Sequence, residues 1–411
     1  MRKTMAVLFG GRSVEHDVSI VSAVQWMAAA DASRYNVVPV YLSHDGSWYT
    51  GEPLKELSAY KPFSPLAPGI VKTLPDLTAN ARTLLSVSEK PRLFGGSRPE
   101  LKVVAAIDVA VPIFHGLNGE DGTVQGVLEL MNVPYTSSGL VGSSVGMDKI
   151  AMKQLFRGMG FPILDFQWTS RGEWDARRED VLSGIEAKMV YPMFVKPANL
   201  GSSIGIAKAK DRGELADAME VALSYDRRAL VEPAVIDPIE VNCSALGFEE
   251  DAEVSVCEMP VSWQEFLTFE EKYIPDADGS KLSGGGKTGS KSPGGMANAK
   301  RRIPAPISDE LTRRVQGLSK DVFRALDCKG VVRIDYIIEP ATGALYVNEI
   351  NTIPGSLAYY LWEASGLPYP KLIDRMVELA ERAHERKNAA KFGFDSTILQ
   401  SVSIGRAAAK R

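Results

Sequence analysis

The N-terminal segment constrains the fold of this chain more than any other part of the sequence. Residues 5–9 form an apolar run, Gly10 and Gly11 follow it, and apolar residues then recur at helical spacing as far as Met27. A buried strand that leads through a glycine turn into a helix is the opening of a βαβ unit. The sequence therefore predicts that the chain begins with an α/β domain.

Further elements extend this first domain to about residue 145. Residues 37–42 and 109–114 are predicted strands, and a helical pattern over residues 126–131 follows the second of them. Between these strands, residues 45–101 contain scattered Pro, Gly and Ser residues and little periodicity, which indicates an insertion.

The rest of the chain mixes helices with antiparallel strands, which is typical of an α+β arrangement. Two strands over residues 330–339 and 344–350 are predicted to form a hairpin with its turn at Thr342-Gly343. The other predicted elements are a helix over 147–160, a strand–turn–strand unit that opens at 194–195, a strand at 230–232, antiparallel strands over 240–262, and helices over 307–327 and 370–386.

Composition and charge limit the classes of function. The 47 Lys and Arg residues nearly balance the 51 Asp and Glu residues, and the net charge is −4. Because such a chain has no large positive field, neither nucleic acid nor an anionic membrane is expected as a partner. Three cysteines are too few for a disulfide framework. No apolar run approaches the ~18 residues of a membrane span, and we therefore expect a cytoplasmic protein. The length of the chain predicts two to four domains.

Three glycine-containing segments could bind anions or polar ligands. Residues 10–16 place a glycine turn and Glu15 at the start of a helix, although an ordinary helix start explains this pattern as well. Residues 115–122 follow a strand at its carboxyl end and are either a ligand site or a tight acidic turn. Residues 196–205 place a lysine before a Gly/Ser loop, which either cradles phosphates or closes a hairpin. None of them has the dinucleotide-binding or P-loop order of glycines.

Two strands near the C-terminal end carry polar residues at alternate positions. Arg333 and Asp335 share one face of the first strand, and Glu349 and Asn351 share one face of the second. If the strands pair, two carboxylates and an amide converge near one arginine, and such oxygen ligands suit Mg²⁺ bound together with phosphates. A solvated sheet face is the alternative, but the apolar flanks favour the metal site.

A long Gly/Lys/Ser-rich stretch occupies residues 270–302, directly around Lys272 and Tyr273. Loops longer than ~12–15 residues without secondary structure are usually lids or disordered segments. The position of this loop close to the polar strands favours a lid.

Taken together and in their order along the chain, these polar and glycine-containing segments resemble those of the D-alanine–D-alanine ligases, a family of the ATP-grasp superfamily. The likeness covers roughly residues 3–40 and 105–385, and its specificity lies in the complete series rather than in any single segment. The segments that carry it are 10–19, 115–126, 147–149, 196–205, Lys272-Tyr273, 333–335 and 348–355.

The resemblance implies a three-domain ATP-grasp architecture and a homodimer. ATP is held between two α+β subdomains, and the C-terminal one carries the metal site and the lid. The implied divisions are a Rossmann-like N-terminal domain over 1–145 that includes the insertion, a central subdomain over 146–232, a C-terminal subdomain over 233–390 and a tail over 391–411.

The implied reaction joins two D-alanines at the expense of ATP. The carboxylate of the first D-alanine attacks the γ-phosphate to give an acyl phosphate, the amine of the second attacks that carbonyl, and phosphate leaves. The product serves peptidoglycan synthesis, and therefore cell-wall biogenesis and cell shape. The implied metals are two Mg²⁺, with Mn²⁺ as a possible substitute.

The resemblance also assigns roles to individual residues. Glu15, supported by Ser202 and Tyr273, binds the ammonium group of the first D-alanine, and His115 lies near that substrate. The residues implied for the tetrahedral oxyanion are Arg333 and the N–H of Gly355. The residues implied for ATP are Lys149, Lys196, Ser203, Glu232, Glu240 and Lys272. The residues implied for Mg²⁺ are Asp335, Asn351 and the bridging Glu349.

The acceptor side departs from the family pattern. Many members place a serine for the second substrate's carboxylate five residues after the conserved glycine, where this chain has Tyr360 followed by Leu361. A phenol also donates to a carboxylate, so Tyr360 and Leu361 are predicted to contact the second substrate. Family members that make a D-lactate ester lack the tyrosine found here at Tyr273, which favours an amine acceptor. The alternatives are a ligase that joins D-alanine to another amino or hydroxy acid, and a non-catalytic ATP-binding protein.

Overall fold

The computed structural model describes residues 2–91, 97–260, 301–391 and 393. Within these residues, three β-sheets carry the architecture and helices pack on their faces. The mixed arrangement confirms the predicted α/β and α+β fold class.

The first sheet begins with the predicted βαβ unit. The first strand of the chain pairs in parallel with a neighbour on each side. Both faces are covered there, so these strands are apolar along most of their length. Trp26 of the first helix is fully buried against it. The elements of this part are β1 (Lys3–Gly10), α1 (His16–Ala29), β2 (Tyr35–Leu42), β7 (Val109–Ile113) and α2 (Thr123–Met131).

Residues 45–101 extend this sheet beyond β2. The added elements are β3 (Trp48–Thr50), β4 (Val71–Pro75), β5 (Thr83–Pro91), β6 (Ser97–Ala106) and short 3₁₀ helices at Glu52–Lys55 and Leu57–Ala59. These strands pair antiparallel, so the order across the sheet is β6-β5-β4-β3-β2-β1-β7. The sequence carries little periodic signal here because β3 is short and apolar residues such as Leu101 and Val103 remain exposed.

The second sheet has four antiparallel strands in the order β10-β9-β11-β8. Its elements are β8 (Gln167–Ser170), α5 (Arg171–Glu186), β9 (Met193–Pro197), β10 (Ala207–Ala209), α6 (Arg212–Tyr225) and β11 (Arg228–Pro233). Two helices cover one face, and Trp174, Val195 and Met219 form part of the core between them and the strands. The predicted strand–turn–strand unit is confirmed as β9 and β10, which the Gly/Ser loop connects.

The third sheet is antiparallel in the order β14-β13-β12-β15-β16. Its elements are β12 (Ile239–Phe248), β13 (Glu253–Pro260), β14 (Arg301–Arg302), α7 (Asp309–Ala325), β15 (Lys329–Glu339) and β16 (Ala344–Asn351). One face packs on α7, where Val315 and Phe323 are fully buried. The predicted hairpin is confirmed, since β15 and β16 pair directly and Gly343 adopts a φ of 71° in the turn.

The remaining helices join the sheets. The predicted helix over 147–160 is interrupted at Asp148, whose carboxylate caps the following helix by accepting hydrogen bonds from the N–H groups of Ile150 and Ala151. These helices are α3 (Leu140–Met147), α4 (Lys149–Gly158), α8 (Tyr359–Ala364) and α9 (Tyr369–Asn388). No helix in the described ranges is both long enough and apolar enough to cross a membrane.

Candidate active site

A row of polar residues crosses the third sheet on the face opposite α7. The residues lie directly opposite one another on four adjacent strands, so their side chains point to the same side of the sheet. From β13 to β16, the row consists of Glu258, Asn242, Asp335 and Glu349. We call these four residues the polar row. It places three carboxylates on one face of the sheet.

Arg333 and Asn351 hold Asp335 in this row. Arg333 Nε and Nη2 each donate a 2.7 Å hydrogen bond to Asp335, and Asn351 Nδ2 donates a third at 3.0 Å. Burial raises the pKa of Asp335, against the opposing charge of Arg333. Within the described residues, Arg333 Nη1 is buried and has no hydrogen-bond partner. The arginine is therefore fixed in orientation and still has one N–H-bearing nitrogen to offer to a ligand.

The oxygen-rich end of the polar row fits a divalent cation bound together with phosphates. Asp335, Glu349 and Asn351 supply hard oxygen ligands, and the side-chain oxygen of Asn348 is buried without a partner in the described part of the chain. No three His, Cys, Asp or Glu side chains form a metal-binding cluster among residues 2–91, 97–260 and 301–391. The predicted set contains two carboxylates and an amide, so the remaining ligands must come from phosphate or water.

Lysines from the second sheet and α4 face this row. Lys149 Nζ donates to the Leu200 carbonyl at 2.7 Å and lies 3.7 Å from Glu349 Oε2. Glu232 is 1% exposed and forms ion pairs with Lys196 and with Lys153, the latter at 3.0 Å. Although burial opposes it, these two lysines lower the pKa of Glu232 to about 2.

Lys153 is a site residue that the sequence analysis missed. It follows Lys149 by one helical turn, and a lysine among the apolar positions of an amphipathic helix was the only signal for it. Because Lys153 forms an ion pair with Glu232, the protein itself holds this carboxylate in place when no ligand is bound.

A small pocket adjoins the first sheet. Glu15 lies at the N-terminal end of α1, is 5% exposed, and accepts a hydrogen bond from the Ser202 hydroxyl. A Cβ on Gly201 would lie 2.8 Å from Glu15 Oε2, so only glycine lets the loop approach this closely. The predicted neighbours Glu15 and Ser202 are therefore brought together, although they are far apart in sequence.

His115 and Glu120 line the same pocket. His115 Nδ1 donates to the Ile353 carbonyl at 3.0 Å, and burial lowers the pKa of His115 to about 4, so the ring is neutral. Glu120 accepts hydrogen bonds from the N–H groups of Gly116 at 2.8 Å and Ile353 at 2.9 Å. Burial, and next the charge of Glu15, raises the pKa of Glu120 to about 8. The sequence analysis singled out this acidic turn without identifying Glu120 as a pocket residue.

A larger cleft opens between the second and third sheets and meets the small pocket. Ser202, Arg333 and Glu349 line both cavities. Apolar side chains, among them Leu164 and Phe194, line the part of the cleft on the second-sheet side. The predicted site residues that line the cleft are Lys149, Lys196, Ser202, Ser203, Glu232, Glu240, Arg333, Asp335 and Glu349. Those that line the small pocket are Glu15, His115, Lys149, Ser202, Arg333, Glu349, Asn351 and Gly355.

The remaining predicted residues either do not line these two cavities or lie outside the described residues. Tyr360 and Leu361 are in α8, with Leu361 fully buried in a small apolar cluster and Tyr360 9% exposed. Lys272, Tyr273 and residues 261–300, which include most of the predicted lid, lie outside the described residues.

Comparison with known proteins agrees with this geometry. Residues 4–138 match the family model for the D-ala D-ala ligase N-terminus, and residues 155–284 and 290–378 match that for the C-terminus. The chain belongs to the D-alanine–D-alanine ligase family. The predicted resemblance to this family is thereby confirmed, and with it the ATP-grasp architecture.

Relatives match this ligase-family chain along almost its whole length. The D-alanine–D-alanine ligase of Thermosipho africanus is 36% identical and covers 96% of this chain and 97% of its own. That of Geobacillus kaustophilus is 35% identical, with coverages of 96% and 99%.

Two solved structures share the fold. The D-alanine-D-alanine ligase from Coxiella burnetii superimposes with a TM-score of 0.73 at 28% identity, covering 94% of this chain and 96% of its own. The VanG D-Ala:D-Ser ligase from Enterococcus faecalis gives a TM-score of 0.74 at 26% identity, with coverages of 92% and 100%.

Proposed function

We propose that this chain is an ATP-dependent ligase that joins two D-alanines to D-alanyl-D-alanine through an acyl phosphate, for peptidoglycan precursor synthesis. The observation that carries the proposal is that the small pocket and the larger cleft meet at Ser202, Arg333 and Glu349. An amino acid in the pocket and ATP in the cleft would place a carboxylate and a γ-phosphate at the same point.

The small pocket fits the first D-alanine. Glu15 is buried there and offers a carboxylate to the substrate's ammonium group, while the Ser202 hydroxyl keeps that carboxylate in position. His115 lines the same pocket and, being neutral, adds no charge that would repel the ammonium. The substrate's own carboxylate then points toward the shared wall of the two cavities, and the pocket supports the proposed first-substrate role of its residues.

The larger cleft fits ATP. Its apolar side at Leu164 and Phe194 suits the adenine ring, and Lys149 and Lys196 offset the charge of the phosphates. Asp335, Glu349 and Asn351 would hold two Mg²⁺, which neutralise charge and align the γ-phosphate for transfer when bound. In the first step, the D-alanine carboxylate oxygen forms a bond to the γ-phosphorus, the bond to the bridging oxygen breaks, and ADP leaves.

Arg333 supports the second step. Its Nη1 is buried beside the shared wall, and with the Gly355 N–H it would stabilise the oxyanion that forms when an amine attacks the acyl carbonyl. The carbon–oxygen bond to phosphate breaks, and the departing phosphate takes up the proton that the attacking amine loses. Since Asp335 holds the guanidinium with two hydrogen bonds, Arg333 would need no reorientation during the reaction.

A ligase with a different acceptor is the second candidate function. Tyr360 stands where many family members have serine, and one structural neighbour of this chain is a D-Ala:D-Ser ligase. We also propose, on family resemblance, the domain division given above, a cytoplasmic location and a homodimer.

One assay tests both functions. The purified chain is incubated with ATP, Mg²⁺ and D-alanine, alone or with D-serine or D-lactate, and ADP release and product mass are measured. We expect D-alanyl-D-alanine and one ADP for each dipeptide. A mixed product that dominates at equal acceptor concentrations would replace the first function with the second, and ATP hydrolysis without any ligated product would contradict both.

A further inference from the structure

A second charged cluster lies at the far end of the polar row and has no role in the chemistry described so far. At its centre is Glu258, which is 2% exposed. It accepts hydrogen bonds from the Tyr360 hydroxyl at 3.0 Å, from Asn242 Nδ2 at 3.1 Å and from Arg301 Nη1 at 3.0 Å. We call Glu258, Tyr360 and Arg301 the acceptor-side cluster.

All three pairs of residues in the cluster are in contact. The Arg301 guanidinium lies 3.8 Å from the centre of the Tyr360 ring, so the two groups that bind Glu258 also stack on each other. Burial, and next the charge of Glu258, raises the pKa of Tyr360, so the phenol keeps its proton and donates it to Glu258. A phenol has a single O–H, and this one is therefore engaged within the protein.

The place of the cluster indicates which substrate it serves. Glu258, Asn242 and Arg301 line the larger cleft beside Arg333, whereas Glu349 at the opposite end of the polar row also lines the first-substrate pocket. An amine that attacks the acyl carbonyl must approach from a side that the phosphate does not occupy. In the proposed complex, Lys149 and Glu349 face the phosphates, which leaves the Glu258 end of the same cleft for the acceptor amine.

We propose that Glu258 is a positioning residue for the acceptor amino acid, because it fixes Tyr360 and Arg301 as one rigid wall of the acceptor subsite. This inference rests on the proposed ligase function, since it requires an amine acceptor. The Tyr360 ring and the Arg301 guanidinium form the wall, and the Tyr360 hydroxyl orients them through Glu258 instead of binding the acceptor directly. A flat, fixed wall admits a small amino acid and excludes a bulky one.

The test separates the two steps of the reaction. Hydroxylamine traps the acyl phosphate as a hydroxamate without using the acceptor subsite, whereas dipeptide formation requires it. Glu258→Gln keeps the size of the side chain but loses its charge and one of its acceptor oxygens. We expect its second-site KM for D-alanine to rise by about tenfold while hydroxamate formation and the KM for ATP stay within about twofold of the parent.

Two further variants make the result specific. Glu253→Gln is the matched control, because Glu253 lies on the same strand with a mostly exposed side chain, and it should leave every parameter unchanged. In Tyr360→Phe protein, adding Glu258→Gln should raise the second-site KM by less than about threefold more, because the Tyr360–Glu258 hydrogen bond is already lost and only the contact of Glu258 with Arg301 is left to weaken.

Several outcomes overturn the inference. An unchanged second-site KM in folded Glu258→Gln protein would do so, as would an equal fall in hydroxamate and dipeptide formation. Additive effects in the double variant would show that Glu258 does not act through Tyr360. If Glu258→Gln does not fold, Arg301→Lys takes its place, and the same KM rise supports the inference while an unchanged KM refutes it. Absence of dipeptide from the parent protein is a different failure, that of the proposed function.

Discussion

The two ends of the polar row are built in different ways. At one end, Asp335 and Glu349 lie on strands joined by a tight turn, and each has a polar neighbour two residues away. At the other end, Glu258 binds Arg301 and Tyr360, which come from separate parts of the chain. The first end uses residues that the family resemblance names, and the second is where the chain departs from that pattern. The comparison suggests that phosphate chemistry and acceptor choice are separable in this protein.

The largest effect is expected at the metal end. Glu349→Gln removes one negative charge opposite Asp335 and weakens the site for both proposed Mg²⁺ ions. Because phosphate repulsion is then poorly screened, we expect kcat to fall by about a thousandfold or more in a protein that remains folded. ADP release measures the loss, and circular dichroism checks the fold. Near-normal turnover by folded Glu349→Gln protein would remove this residue from the site.

Arg333→Lys tests the junction between the two ends. A lysine keeps the charge but cannot donate two parallel hydrogen bonds to Asp335 while also presenting a third nitrogen to the substrate. We expect kcat to fall by about a hundredfold, with dipeptide formation affected more than hydroxamate formation, since the oxyanion forms only in the second step. Equal losses in both assays would place Arg333 in the phosphate-transfer step. They would contradict the separation of phosphate chemistry from acceptor choice at this residue.

Tyr360→Phe tests the acceptor end alone. The variant loses the Tyr360 O–H that reaches Glu258 and keeps the ring under Arg301. Because this hydrogen bond orients the wall and does not contact the acceptor, only part of its roughly 1.5–3 kcal/mol reaches the substrate, and the second-site KM for D-alanine should rise by about tenfold. Initial rates over a wide range of D-alanine concentrations separate the two KM values. A change in the first-site KM of similar size would show that the cluster does not serve the acceptor specifically.

The difference between the ends also explains what the sequence could predict. Arg333, Asp335, Glu349 and Asn351 were predicted because alternation along two neighbouring strands is a local pattern. The contact between Glu15 and Ser202 was not visible as a pattern in either segment, and only the order of motifs in the family connected them.

The residues that were missed share one property. Each has a partner that is distant in sequence, Glu232 for Lys153, Ile353 for Glu120 and Tyr360 for Glu258, so the sequence around each residue does not identify its role. Glu258 in particular lies in an ordinary alternating strand, and its partners Arg301 and Tyr360 arrive from β14 and α8. The sequence therefore predicts the sheet that carries the site, while the long-range ion pairs that shape it depend on tertiary structure.

The smallest effect is expected in the middle of the polar row, at Asn242. This residue lies between Glu258 and Asp335, donates to the first at 3.1 Å and is directly opposite the second on the neighbouring strand. Asn242→Ser shortens the side chain and removes one of the three donors to Glu258, while Arg301 and Tyr360 still hold that carboxylate. Losing a single hydrogen bond of about 1 kcal/mol, with the other two kept, should raise the second-site KM by about threefold at most.

The value of Asn242→Ser lies in what happens to kcat. If the two ends act independently, saturating D-alanine restores the rate of the parent protein, because only the acceptor wall has been loosened. Asn242 could instead keep the charges of Glu258 and Asp335 apart. Its loss would then change the electrostatic field at the metal end, and kcat would fall while the second-site KM rises. Burial and nearby carboxylates already raise the pKa of Asp335, so this position is sensitive to any such change. A fall in kcat that D-alanine cannot restore would therefore show that the polar row acts as one unit, and the separation of phosphate chemistry from acceptor choice would not hold.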